Sequence, residues 1–117
     1  MDMRTPLDRS AIVRLFNLGG KKLVTQMVEL FFRETPKRLE TARNGKDKGD
    51  LDAIERVTHS LKTSSANVGS KEMSRLSGLI EQCAYEKKME EIPELLRMLE
   101  EEYVFVKKDL EEELGKL

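Results

Sequence analysis

The chain has 117 residues, of which 37% are charged and 5% aromatic, with no Trp. That length suits one domain, 1–117, able to bury a single core without disulfides or a structural metal, and that composition favours solvated amphipathic helices over an aromatic-rich β-sandwich. The 21 basic and 22 acidic residues nearly cancel to a net charge of −1, which excludes the strongly basic footprint of a nucleic-acid binder.

Asp8 is a candidate N-cap for a short first helix with apolar positions at Ala11, Ile12, Leu15 and Phe16, and Gly19-Gly20 ends it. A second helix is expected from about Lys21 to Arg43, burying Leu23, Met27, Leu30, Phe31 and Leu39. Pro36 interrupts it, which predicts a kink near Arg33 or a break there. The stretch NGKDKGD then reads as a loop, with Asp50 as the next cap.

In the third helix Leu51, Ile54, Thr58, Leu61, Ser65 and Val68 fall in one stripe at about 100° per residue, so this stripe is the core face. Gly69 suits a left-handed cap and Ser70 caps the next helix at once, which predicts an antiparallel hairpin. That helix carries Met73, Leu76, Leu79, Ile80 and Cys83 at core spacing. After the polar joint YEKKMEE, Pro93 fits the first turn of a long last helix, whose Ile92, Leu95, Leu99, Tyr103, Val106, Leu110 and Leu114 recur every three or four residues. The expectation is an all-α protein: an up-down four-helix bundle with a short extra N-terminal helix packed at one end.

From Glu100 to Glu113 there are seven acids and two bases, a net of −5 against −1 for the whole chain, so the remainder carries +4. The acidic stretch is expected to be a solvated helix face. No apolar run approaches the ~20 residues of a membrane span, and the start MDMRTPLDRS lacks the apolar stretch of a signal peptide. A cytoplasmic protein with no membrane partner is expected. Cys83 has no partner for an intrachain disulfide and is expected to be a small buried apolar residue.

The chain's one histidine lies in "HSLKTSSANVG", His59 to Gly69. His59 is about 140° around the helix from Ile54, so it points outward, within reach of Lys62. An exposed imidazole can act as a base, a metal ligand or a nucleophile toward phosphorus. A metal site needs further ligands, and no second His or Cys at ligand spacing accompanies it. Acid-base catalysis needs a pocket and a partner; Glu55 is one turn away, but a helix surface holds a substrate poorly. A nucleophile that takes a phosphoryl group from another protein needs only exposure, a nearby cation and small neighbours, and all three are present. A surface histidine without a role is nonetheless the commoner case.

The stretch resembles the signature of histidine-containing phosphotransfer (HPt) domains, H-x-L-K-G-S-S-x-x-x-G, which His59, Leu61, Lys62, Ser64, Ser65 and Gly69 match. Gly49-Asp50, "LSGLIE" at Leu76–Glu81 and "LFFRETPKRL" in the second helix resemble the family's flanking pattern. The resemblance implies a phosphorelay carrier of bacterial-type two-component signalling: His59 takes a phosphoryl group from the phospho-aspartate of one receiver domain and passes it to the aspartate of another. It implies no kinase activity and no cofactor, any Mg²⁺ residing on the partner receiver domain. Lys62 would stabilise the added charge, of roughly −1.5 to −2, and Glu55 is the candidate to orient the ring. Ser64, Ser65 and Ala66 are expected to serve close packing, with Asn67 at the helix end. Arg56, Thr63, Ala66, Lys71 and Arg75 are the expected docking positions. Thr63 departs from the family's glycine. The implied partners are response-regulator receiver domains and a hybrid sensor kinase, met by a monomer; the initial Met and the length suggest a free protein. The other reading is an HPt-like adaptor that docks receiver or kinase domains without carrying phosphate.

Overall fold

The structure, a computed structural model, describes residues 5–117; the opening Met1–Arg4 of the start read as lacking a signal peptide lies outside them. Four helices follow in order: α1 (Arg9–Lys48), α2 (Leu51–Asn67), α3 (Lys71–Tyr85) and α4 (Ile92–Gly115), with one 3₁₀ turn, Met89–Glu91, before the last. Neighbours in the chain are neighbours in space, and α4 closes the bundle against α1.

Asp8 caps α1 by accepting the Ser10 N–H at 3.1 Å. At Gly20 the backbone leaves helical dihedrals (φ 69°, ψ −165°), so the short N-terminal segment is set off where the paired glycines placed its end. It folds back until the Asp8 N–H donates to the Gly69 carbonyl at 2.7 Å and Arg9 reaches Glu113 on α4 at 3.2 Å. Pro36 does not break the helix: residues on both sides keep helical dihedrals, and the interruption within α1 is at Gly20.

Two expectations for α1 are corrected. The helix continues through the presumed loop to Lys48, where Gly49 takes the left-handed cap (φ 72°). Gly45 accommodates the extension: a Cβ there would stand 2.9 Å from Ile54 Cγ1, so its missing side chain lets the end of α1 lie against α2. The buried face is also turned. Val24, Val28, Phe31, Thr35 and Leu39 are buried, whereas Leu23 and Met27 are half-buried and Leu30 is 41% exposed. Apolar residues occupy so much of this helix's circumference that periodicity does not choose between adjacent stripes. Phe16, expected inward, is exposed as well.

In α2 the expected stripe faces in, with Ile54, Thr58, Leu61 and Ser65 buried and Val68 beyond them. Among the described residues Ser65 has no partner for its hydroxyl, so its contribution is its small size. The hairpin to α3 is closed by the Ser70 N–H donating to the Ser65 carbonyl at 2.9 Å and by Ser70 Oγ accepting the Met73 N–H at 3.2 Å. In α3 Ser77 and Ala84 are buried, while Leu79 is exposed and Cys83 half-buried, which corrects both as core positions. Pro93 stands in the first turn of α4, and Ile92, Leu96, Leu99, Val106 and Leu110 complete the core. Tyr103 packs edge-on against Phe31, ring centroids 5.9 Å apart.

Candidate functional site

Capping fixes where α2 starts: Asp50 accepts the Ala53 N–H at 3.1 Å. With Ile54, Thr58 and Leu61 turned to the core, His59 must face out, and its side chain is 68% exposed. The hairpin then sets what stands opposite. Ser74 Oγ on α3 donates to the Lys62 carbonyl at 2.9 Å, and two turns further along α3 comes Glu81.

Glu81 joins the two motif residues. Its Oε2 lies 2.7 Å from His59 Nδ1 and its Oε1 lies 3.6 Å from Lys62 Nζ. The carboxylate is 22% exposed, so it is shielded from water more than either partner. A carboxylate oxygen only accepts, so the short contact puts the ring proton on Nδ1. In the neutral imidazole, Nε2 then carries the free lone pair. The expectation that Glu55 orients the ring is therefore corrected: Glu55 lies along the same shallow groove as His59, but the carboxylate on Nδ1 comes from α3. "LSGLIE" contained Glu81 as part of a flanking pattern; the antiparallel register of the hairpin was the signal that could have paired it with His59.

His59 stands on a ridge between two grooves. On the α1 side, a groove of about 400 Å³ is lined by Met27, Leu30 and Phe31 of α1 and by Thr63 and Ser64 of α2, among others. On the α3 side, a shallower one holds Asp52, Glu55, Arg56, Ser60 and Glu81. The five expected docking positions divide among different surfaces. Thr63 is in the apolar groove and Arg56 in the acidic one. Ala66, Lys71 and Arg75 line a third recess with Lys62. Ala66 is exposed, which corrects its assignment to close packing, and Ser64 is half-buried. Lys71 pairs with Asp8 at 3.6 Å, and Arg75 with Glu72 at 2.7 Å, holding that carboxyl below its ordinary range through a hydrogen bond. Asn67 lines the apolar groove, and the end of α2 is closed by backbone bonds, the Gly69 N–H donating to the Ala66 carbonyl at 3.1 Å. Leu30, taken from the sequence as core, is exposed along this groove, and Met27, taken likewise, is half-buried in its wall.

The arrangement offers a nucleophilic ring nitrogen, a carboxylate behind the ring to stabilise positive charge on it, and an ammonium beside it. Among the described residues no three His, Cys, Asp or Glu side chains gather to hold a metal ion, and no helix is long and apolar enough to cross a membrane. No curated protein sequence matches the chain. The structure is similar to that of histidine-containing phosphotransfer protein B (HptB) from Pseudomonas aeruginosa PAO1, with a TM-score of 0.88 at 21% identity, over 95% of this chain and 96% of that one. The family model of the Hpt domain matches residues 26–116, a span that contains His59, Lys62 and Glu81 and most of the bundle that brings them together. By that match the chain belongs to the Hpt family, the histidine-containing phosphotransfer domains of two-component signalling.

Proposed function

We propose that the protein is a phosphorelay carrier in which His59 Nε2 accepts a phosphoryl group from the phospho-aspartate of one receiver domain and delivers it to the aspartate of another. The observation that carries this reading is the Glu81 contact on Nδ1, which leaves Nε2 as the free nitrogen of an exposed ring. The Nε2 lone pair attacks phosphorus in line; the Nε2–P bond forms as the P–O bond to the aspartyl group breaks, and the carboxylate leaves with the electron pair. The ring becomes cationic with its Nδ1 proton still against Glu81, so no proton has to move. In the return step a receiver carboxylate attacks phosphorus, the N–P bond breaks and its pair goes back to Nε2.

Lys62 offsets the negative charge gathered on the phosphoryl oxygens. The receiver sits over the apolar groove of Met27, Leu30 and Phe31, where exposed Leu30 and half-buried Met27 give a partner something to bury beside the nucleophile. Any Mg²⁺ belongs to the receiver's acidic residues, and the carrier hydrolyses no nucleotide. It works in the cytoplasm as a monomer, between a hybrid sensor kinase and response-regulator receivers.

The test is a panel of receiver domains carrying labelled phospho-aspartate. Label is expected on the parent protein as an acid-labile, base-stable adduct, and none on His59→Gln. Lys62→Ala is expected to slow transfer, and higher salt to slow it further. Receivers that bind but never pass label would make the protein an adaptor instead; label persisting on His59→Gln would place the acceptor elsewhere.

A further inference from the structure

Arg38 lies on α1, in the wall of the groove that His59 borders from α2. It is half-buried, yet among the described residues its guanidinium has no ion-pair or hydrogen-bond partner. Arg9, Arg33, Arg43, Arg75 and Arg97 each reach a carboxylate. Glu34, four residues before Arg38 and in the same groove, is at the spacing that favours a pair along a helix. It is engaged instead by Lys37 at 3.3 Å and Arg33 at 3.8 Å.

Packing of Gly45 against Ile54 sets the antiparallel register of α1 and α2. Seven residues back along α1 and seven forward along α2, Arg38 comes level with Leu61, about 3 Å along the axis from His59. The rest of this stretch of groove is Ser60, Thr63, Ser64 and Asn67, all small or neutral, so among the described residues no anion satisfies the guanidinium there. A planar fork of five donors kept half out of water and unpaired is suited to an oxyanion that arrives from outside.

We propose that Arg38 holds the phosphoryl oxygens on His59 from the α1 side while Lys62 serves from the α3 side. The proposal rests on the reading of His59 as phospho-acceptor. It makes the cation pair asymmetric: Lys62 is tethered by Glu81 before the phosphoryl arrives, whereas Arg38 is free to close on it.

The experiment uses the full chain without any receiver, phosphorylated by phosphoramidate. The reagent's P–N bond breaks, ammonia leaves and the Nε2–P bond forms. The pH midpoint at which the ³¹P resonance of phospho-His59 shifts is then compared among the parent, Arg38→Gln, Arg38→Lys and Arg14→Gln. Arg14 also lacks a partner among the described residues and lies outside this groove, so it controls for net charge. A cation on the phosphoryl favours its more ionised form. The midpoint is therefore expected to rise by about half a pH unit in Arg38→Gln, to be partly restored in Arg38→Lys, and to stay put in Arg14→Gln. Transfer to a receiver should fall about tenfold in Arg38→Gln, with the melting temperature unchanged. An unmoved ³¹P midpoint with transfer lost would overturn the proposal, since Arg38 would then grip a carboxylate of the docked receiver. An unmoved midpoint with normal transfer overturns it outright. A parent protein that takes no phosphate on His59 sinks the carrier reading as well, before any Arg38 variant is compared.

Discussion

The stem of Lys62 crosses α3 at Gly78, where an added Cβ would stand 3.4 Å from Lys62 Cδ and 3.9 Å from Cε. From there the ammonium reaches Glu81, one turn further along α3. A methyl group fits that gap at ordinary van der Waals contact, and alanine is the better helix former by about 0.5–1 kcal/mol. Gly78→Ala should therefore raise the melting temperature and leave transfer unchanged. Gly78→Leu should displace the lysine and slow transfer to the level of Lys62→Ala, with no further loss when the two are combined. Additive losses in the double variant would show that Gly78 acts on something other than Lys62.

Glu81 holds the proton on Nδ1 and faces the positive charge that the ring acquires as Nε2 is phosphorylated. Hydrogen bonds involving charged groups contribute about 1 kcal/mol more than neutral ones. In Glu81→Gln that increment is lost, and the amide can turn its NH₂ toward Nδ1 and favour the wrong tautomer. Transfer should drop about tenfold or more, measured as single-turnover loss of label from a phosphorylated receiver. Because Glu81 lies at the surface of the hairpin and not in its core, unfolding should shift little. Transfer at the parent rate would remove Glu81 from the mechanism.

The bundle and its caps were legible in the sequence because they depend on local chemistry. Asp8, Asp50 and Ser70 each accept the backbone N–H their position required. His59 faces out for the reason its spacing from Ile54 indicated. What was not legible depends on contacts between helices. Glu55 was assigned to the ring because it is one turn away on the same helix, but Glu81, 22 residues on, is brought there by the hairpin register. Leu30 and Met27 looked like core because they are apolar and well spaced. Only the side of α1 that α2 and α4 cover decides that Val24 and Val28 are buried in their place. Gly45 looked like a loop residue, whereas its role is to let a helix end approach Ile54.

Gly69 combines two demands that can be separated by comparison with Gly49. Both have left-handed backbone, φ 92° and 72°, which costs a residue with a side chain about 1–2 kcal/mol. At Gly49 a Cβ would meet open space; at Gly69 it would stand 2.6 Å from the Asp8 carbonyl oxygen. Gly49→Ala should destabilise by about 1 kcal/mol and Gly69→Ala by at least about 2 kcal/mol, or roughly 8 °C in melting temperature for a chain of this size. The excess at Gly69 comes from pushing the N-terminal segment off the hairpin turn, where the Asp8 N–H bonds the Gly69 carbonyl. Equal losses at the two sites would mean that this close approach contributes nothing.

Leu30 and Thr63 face each other's neighbourhood across the groove beside His59, and substitutions at the two should act in opposite directions. Leu30 is 41% exposed in the free protein, so Leu30→Glu gives up little of the core and should leave the stability within about 1 kcal/mol of the parent's. In the complex with a receiver the same substitution removes apolar area to bury and places a carboxylate against a partner whose own site is acidic. Affinity for a receiver domain, measured by titration calorimetry, should fall about tenfold or more. Thr63 stands where the family signature has glycine, and its β-branched side chain narrows the approach to the ring. Thr63→Gly should cost about half a kcal/mol of stability, since glycine is the poorer helix former, while transfer from a matched receiver stays equal or becomes faster. Normal binding by Leu30→Glu would move the docking face away from the α1 side of His59. A sharp loss of transfer in a folded Thr63→Gly would show that the threonine is itself a contact for the receiver, and that its side chain does not obstruct the approach.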